Sequence, residues 1–234
     1  MSALVRMRVA AFVRTGRALP SLLATLVVLG IIYGGGKAQA AEAYGFSAVA
    51  LFPIIAWQAK LVLDTEPDVQ RRLAITAVGH RRELAAGLAA ATVIGLTTVV
   101  FAMLVPWVIG VVGIGGIEGP RAAGDLPLGA GIALGGWAHL ASLVTAVGLG
   151  ALASRPVTRS TLYGVAVLVT GSVLAIVLGL QGSFAPWIVP PLMAAARTLA
   201  KEPHAGSVIG LSAQAVLWAA VVVAGYARLR RTRS

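Results

Sequence analysis

The sequence contains no cysteine. Disulfides, thiol nucleophiles and cysteine-based metal sites are therefore excluded. Charge is scarce as well, at 12% of residues, and only 8 side chains are acidic. Histidine occurs three times, at His80, His139 and His204, too dispersed to suggest a metal site. Aromatic residues make up 6%. No phosphate-binding GxxxxGK[ST] run is present, and neither is HExxH, GxSxG or an HxE with CxxC pattern. These absences argue against a nucleotide-hydrolysing chain, a zinc protease and a serine hydrolase. An intramembrane protease or metalloenzyme is therefore disfavoured.

What fills the sequence is apolar. Hydrophobic residues make up 58% of the 234, and the mean hydropathy is +0.89. A soluble fold of this length cannot bury so much apolar surface, so the chain reads as an integral membrane protein. The net charge is nevertheless +11. The bases flank apolar runs, which points to lipid headgroups and membrane topology rather than nucleic acid.

Six apolar segments emerge: 20–36, 46–63, 84–112, 128–153, 161–181 and 208–227. The third is long enough to tilt or kink, and Pro106 marks a kink site near its end. Gly131 and Gly135 stand at GxxxG spacing, which predicts close helix packing. With the N-terminus inside, the inner segments hold Arg6, Arg8, Arg14, Arg17, Lys60, Arg71, Arg72, Arg81, Arg82, Arg155, Arg159, Arg228, Arg230, Arg231 and Arg233. The outer segments hold Lys37, Arg121, Arg197 and Lys201. Fifteen of 19 bases thus fall on one side, which predicts a multi-pass protein of the cell membrane with both termini cytoplasmic. Residues 6–17, the apolar run after them and Ala38-Gln39-Ala40 also outline a cleavable signal peptide. The long basic region and the spanning length of the run favour an uncleaved first span.

Four connecting segments carry more information. Residues 1–18 predict a basic helix in the membrane interface, with Val5, Val9, Phe12 and Val13 approximating one face. In 64–83, Asp64 or Thr65 can cap a helix, Glu66 suits its dipole and Pro67 its first turn. Val69, Leu73 and Ala77 then share a face, and Gly79 ends the helix before His80-Arg81-Arg82. This is either an amphipathic helix presented to a partner or a lipid-touching turn. Arg155–Arg159 reads as a tight basic turn. Residues 182–207 are too apolar for a solvated loop and too broken by Pro186, Pro190, Pro191 and Pro203 to span. Residues 193–200 should be helical, a second short helical piece can precede the proline pair, and Trp187 suits the headgroup level.

No carboxylate falls well inside a span. Lys60 and Glu83 lie at predicted edges, where they can snorkel. His139, near mid-bilayer with Ser142 and Thr145, reads as a neutral interhelical hydrogen-bonding group before a path-lining one. Gln58, Gln181 and Gln214 receive the same reading. Uphill transport by this chain would therefore draw its energy from another subunit.

In ordered architecture the chain resembles the membrane-spanning permease subunit of type-2 ATP-binding-cassette exporters, in the compact six-span form common in actinobacteria. RRLAITAVGHRRELAAGLAAA (Arg71–Ala91) is similar to the basic lead-in to their third span. SRPVTRST (Ser154–Thr161) resembles the link before their fifth, and APWIVPPLMAAARTL (Ala185–Leu199) their outer re-entrant hairpin. The resemblance implies an all-α fold in one domain of 1–234, divided into an interfacial helix (1–18), spans one and two (20–63), a coupling-helix loop (64–83), spans three to five (84–181), an outer hairpin (182–207) and span six with a basic tail (208–234). It implies a permease dimer, identical or mixed, coupled to separate cytoplasmic ATPase subunits that hold ATP and magnesium. ATPase coupling would fall to Glu66, Val69, Arg72, Leu73, Ala77, Gly79, Arg81 and Arg82. An outer gate would comprise Pro186, Trp187, Pro190, Pro191 and Met193. His139, Gln58 and Gln214 would line a path or pack the bundle. A self-contained channel or facilitator, or a non-transporting scaffold or immunity protein, is the alternative.

Overall fold

A computed structural model describes residues 2–120, 125–201 and 203–233. Arg121, expected on the outer side, lies outside the described residues. The chain runs α1 (Ser2–Arg14), α2 (Ala18–Tyr33), β1 (Gly36–Gln39), α3 (Ala40–Leu63), α4 (Asp68–Val78), α5 (His80–Val112), β2 (Gly115–Glu118), α6 (Leu128–Leu152), α7 (Arg155–Thr158), α8 (Thr161–Val177), α9 (Leu192–Leu199) and α10 (Ala205–Arg233).

Among the described residues, four helices are long and apolar enough to cross a membrane, namely α3, α5, α6 extended by α7, and α10. The pair α1 and α2 would make a fifth if counted as one span bent by 74°. Two of the six expected segments form shorter helices, of 16 residues in α2 and 17 in α8. A straight span needs roughly 20 residues. The other helices cover their apolar segments but overrun them: α3 begins at Ala40 rather than 46 and α10 runs to Arg233 rather than 227, while α6 begins at Leu128 as expected.

Helix α3 is the centre of the bundle. It packs most extensively on α6 and also meets α2, α5, α8 and α9. Small residues permit this closeness. An ideal Cβ at Gly131 would lie 3.0 Å from the Ala41 nitrogen, and one at Gly135 would lie 2.5 Å from the Tyr44 Cβ. The GxxxG pair is thus used inside the chain, seating α6 on α3. Outward faces are apolar: Leu22, Leu26, Ile31, Val108, Val169 and Val173 are all exposed. Apolar surface on this scale is a lipid-facing surface. The long apolar helices make this a helical, multi-span membrane protein.

The structure departs from an all-α architecture at one end. Strands β1 and β2 pair in parallel, Gly36 opposite Gly115 and Gln39 opposite Glu118. The Gly34-Gly35-Gly36 and Gly113–Gly116 clusters interrupt their helices there. Gly113 sits at φ 81° and closes α5. β2 folds back on the helix: a Cβ at Gly116 would lie 2.5 Å from the Pro106 carbonyl oxygen. α5 remains helical through Pro106.

Helix α1 presents Phe12 and Arg8 inward, with Val5 and Val9 half-buried, while Arg6 and Arg14 are exposed. Val13, expected on the apolar face, turns outward.

Candidate functional site

The loop between α3 and α5 is built differently at its two ends. Asp64 does not cap α4. It ends α3, pairs with Lys60 at 2.6 Å, and accepts a hydrogen bond from the Arg155 backbone nitrogen at 2.7 Å. Pro67 takes the N-cap position, so α4 begins at Asp68. At the other end, Gly79 adopts φ 84° and breaks the chain direction between Val78 and His80. Glycine takes this left-handed conformation without a steric penalty.

α4 touches the bundle mainly through α5, with Arg71, Ala74, Ile75 and Val78 half-buried at helical spacing. Its opposite face carries Val69, Arg72, Leu73, Thr76 and Ala77, all exposed. Val69 is 70% and Leu73 64% exposed. Large aliphatic side chains presented outward from a short helix suit a partner surface or the membrane interface. Of the residues expected to couple, Val69, Arg72, Leu73 and Ala77 share this face. Gly79 forms the joint, and Arg81 and Arg82 are exposed beyond it. Glu66 points elsewhere.

Glu66 belongs to a buried charge cluster that sequence reading did not assemble. Arg8 on α1 pairs with both Glu66 and Glu83, and Arg230 on α10 pairs with the second oxygen of Glu83. Arg8 also donates to the Glu83 carbonyl at 3.3 Å, and Arg230 donates to the Tyr226 hydroxyl at 3.0 Å. Glu83 has no solvent exposure. The expectation that Glu83 and Lys60 snorkel is therefore corrected. Each is buried because a paired opposite charge is available inside the fold, where an unpaired one would be severely penalised. The expectation that Arg8 and Arg230 serve headgroups is corrected for the same reason. Two guanidiniums face two carboxylates, so the cluster is electrically balanced. The basic run and its spacing gave no sign of these pairings, which join residues up to 147 positions apart.

The groups near mid-bundle are engaged in helix-to-helix bonds. His139 Nδ1 lies 2.8 Å from the Gly135 carbonyl, an acceptor, so this nitrogen carries the proton. His139 Nε2 lies 3.2 Å from Ser47 Oγ on α3, and Tyr33 donates to the same hydroxyl at 2.8 Å. Gln58 accepts from Thr98 at 2.8 Å, linking α3 to α5. Gln181, by contrast, is exposed.

In residues 182–207, expected on the outer side, α9 matches the expected helix to within a residue at either end. No helix precedes the proline pair; residues 186–189 form turns, with Ile188 donating to Ala185 at 3.2 Å. Prolines at 186, 190 and 191 leave too few backbone donors for one. Trp218 donates to Ile188 at 2.9 Å and Gln214 to Val189 at 3.3 Å, so α10 holds this turn. Pro190 and Pro191 are buried, while Pro186 and Trp187 are exposed. Met193 lines a cavity of about 400 Å³ with Ile32, Glu42, Phe46 and Arg197. The gate candidates therefore divide into a buried prop and an exposed rim.

The geometry defines a class, a multi-span helical membrane protein with a short amphipathic helix, α4, beside the buried cluster of Arg8, Glu66, Glu83 and Arg230. The chain matches no known protein family, and no curated protein or solved structure is significantly similar to it.

Proposed function

We propose that this chain is the permease subunit of an ATP-driven exporter of the type-2 ATP-binding-cassette kind, with six spans in the cell membrane and both termini cytoplasmic. The observation that carries the reading is the exposed face of α4, where Val69 and Leu73 flank Arg72 on a helix jointed at Gly79. A cytoplasmic ATPase subunit, with its ATP and magnesium, seats on this face. A second permease, identical or related, completes the path. Closure of the ATPases displaces α4. Arg8 bridges Glu66 before the helix and Glu83 after it, so the displacement reaches α1 and, through Arg230, α10. At the far side, the turn held by Trp218 and Gln214 moves with α10 and opens the outer segment. No bond is made or broken within this chain.

The test is copurification followed by reconstitution into liposomes. The wild-type chain should retain an ATPase subunit and show ATP-dependent flux of a hydrophobic or amphipathic export probe. Leu73→Asp should lose the ATPase while remaining folded, because that side chain contributes little to the bundle. Passive flux from the chain alone, without ATP or partner, would instead make it a channel.

A further inference from the structure

A second feature lies beside α4. A cleft of about 220 Å³ opens between α4 and α7, lined by Asp68, Arg71, Arg72, Arg155, Pro156 and Arg159, with Ile75 at its back. Four arginines therefore line it beside one aspartate. That carboxylate, Asp68, is paired with Arg71 at 3.2 Å, which leaves a net positive cleft. The two walls come from loops more than 80 residues apart, yet they are tied together. Asp64, neutralised by Lys60, accepts the Arg155 backbone N–H and fixes α7 against the start of the α4 loop.

Arg159 is the one non-glycine residue with positive φ among the described residues, at 60°. An ordinary side chain adopts this left-handed conformation only at a steric cost, and such outliers concentrate at functional positions. Immediately after Arg159 the chain enters α8, whose first side chains, Leu162 and Tyr163, are 74% and 66% exposed. A concentrated positive cleft thus opens beside an apolar, lipid-facing surface. Guanidinium forks suit phosphate oxygens, and a basic pocket at a helix end bordering the bilayer suits an anionic headgroup.

We propose that the cleft between α4 and α7 binds the phosphate of an anionic phospholipid, with Arg155 and Arg159 as the principal contacts and the acyl chains lying along α8. The site borders α4 and includes Arg72 at the edge of its exposed face, so an occupied cleft braces the helix against α7.

Native mass spectrometry of the full chain in mild detergent tests this, with phosphatidylglycerol, phosphatidylcholine and inorganic phosphate as probes. Phosphatidylglycerol should bind more tightly than phosphatidylcholine, and inorganic phosphate should compete only weakly. The double variant Arg155→Gln/Arg159→Gly should lose about tenfold or more in phosphatidylglycerol affinity. Arg228→Gln, on the exposed basic tail, should lose little. Glycine accepts the backbone at 159, so an unchanged or raised melting temperature for Arg159→Gly separates binding loss from misfolding. Equal affinity in the double variant overturns the proposal, as does equal binding of the two lipids. Inorganic phosphate binding as tightly as the lipid would make this a free-phosphate site and overturn the lipid assignment. Loss of a protein partner with lipid binding intact would make it a protein-docking cleft and overturn it also.

Discussion

Arg8 in the first helix reaches Glu83, 75 residues away, and pairs with a carboxylate that has no contact with solvent. The same arginine holds Glu66, so one guanidinium joins the two ends of the α4 loop. Arg230 closes the cluster from the last helix. Three segments distant in sequence are thereby fixed at one point, and α4 is left to project from it.

Neutralising Glu83 should be far more harmful than its position near a helix start suggests. Glu83→Gln leaves Arg230 buried without its countercharge, at a cost of about 3–5 kcal/mol. The double variant Glu83→Met/Arg230→Met should be less destabilised than the sum of the single variants, because it removes both charges together. Thermal unfolding in detergent, read as a double-mutant cycle, measures the coupling. Additive losses would show that the pair contributes no coupling energy.

Glycine positions in the bundle should split sharply. A Cβ at Gly150 would collide with the Ala56 carbonyl oxygen and with the Lys60 nitrogen, both backbone atoms of α3 that cannot rotate away. Gly150→Ala should destabilise by about 1–3 kcal/mol. Gly210 on α10 meets nothing within 4 Å. Gly210→Ala should stabilise by up to about 1 kcal/mol through helix propensity. Melting temperatures of the two variants should move in opposite directions.

The two faces of α4 should respond oppositely to charge. Val69→Asp alters an exposed residue and should leave the melting temperature within about 0.5 kcal/mol equivalent of wild type while abolishing ATPase copurification. Ile75→Asp strikes the face turned to the bundle and should lower stability directly. If Val69→Asp retains full ATPase copurification and coupled flux, α4 is not the docking helix.

His139 should behave as a packing group. Ser47→Ala removes the hydroxyl that meets His139 Nε2 and accepts from Tyr33. Tyr33 keeps the Ala43 carbonyl as an acceptor, but leaving His139 Nε2 unsatisfied should cost about 1–3 kcal/mol. His139→Asn should lower stability without changing the pH profile of flux. A displaced pH profile would assign His139 a role in transport.

Much of the helix layout was legible in the sequence, because a span announces itself by a continuous apolar run. α6 starts where Pro127 precedes Leu128, and α4 ends where Gly79 permits a left-handed turn. The α9 helix was readable because prolines end before Leu192 and alanines follow. The strand pair was not readable: GKAQ and GGIE are four residues each, too short for an alternation to register. The charge cluster was not readable either. Arg8, Glu83 and Arg230 look identical to neighbouring basic and acidic residues until the helices are packed, since a charge at a helix end can as easily snorkel as pair.

The sequence by itself determined that the chain is apolar enough to live in a membrane and roughly where most of its long helices lie. Those properties are local: hydropathy, breakers and motifs act within tens of residues. Tertiary structure alone decided which charges are buried, which face of α4 is left outward and which arginines meet across a cleft. Each of these depends on contacts between helices, and a side chain's energy in such a place is set by partners that arrive from elsewhere in the chain.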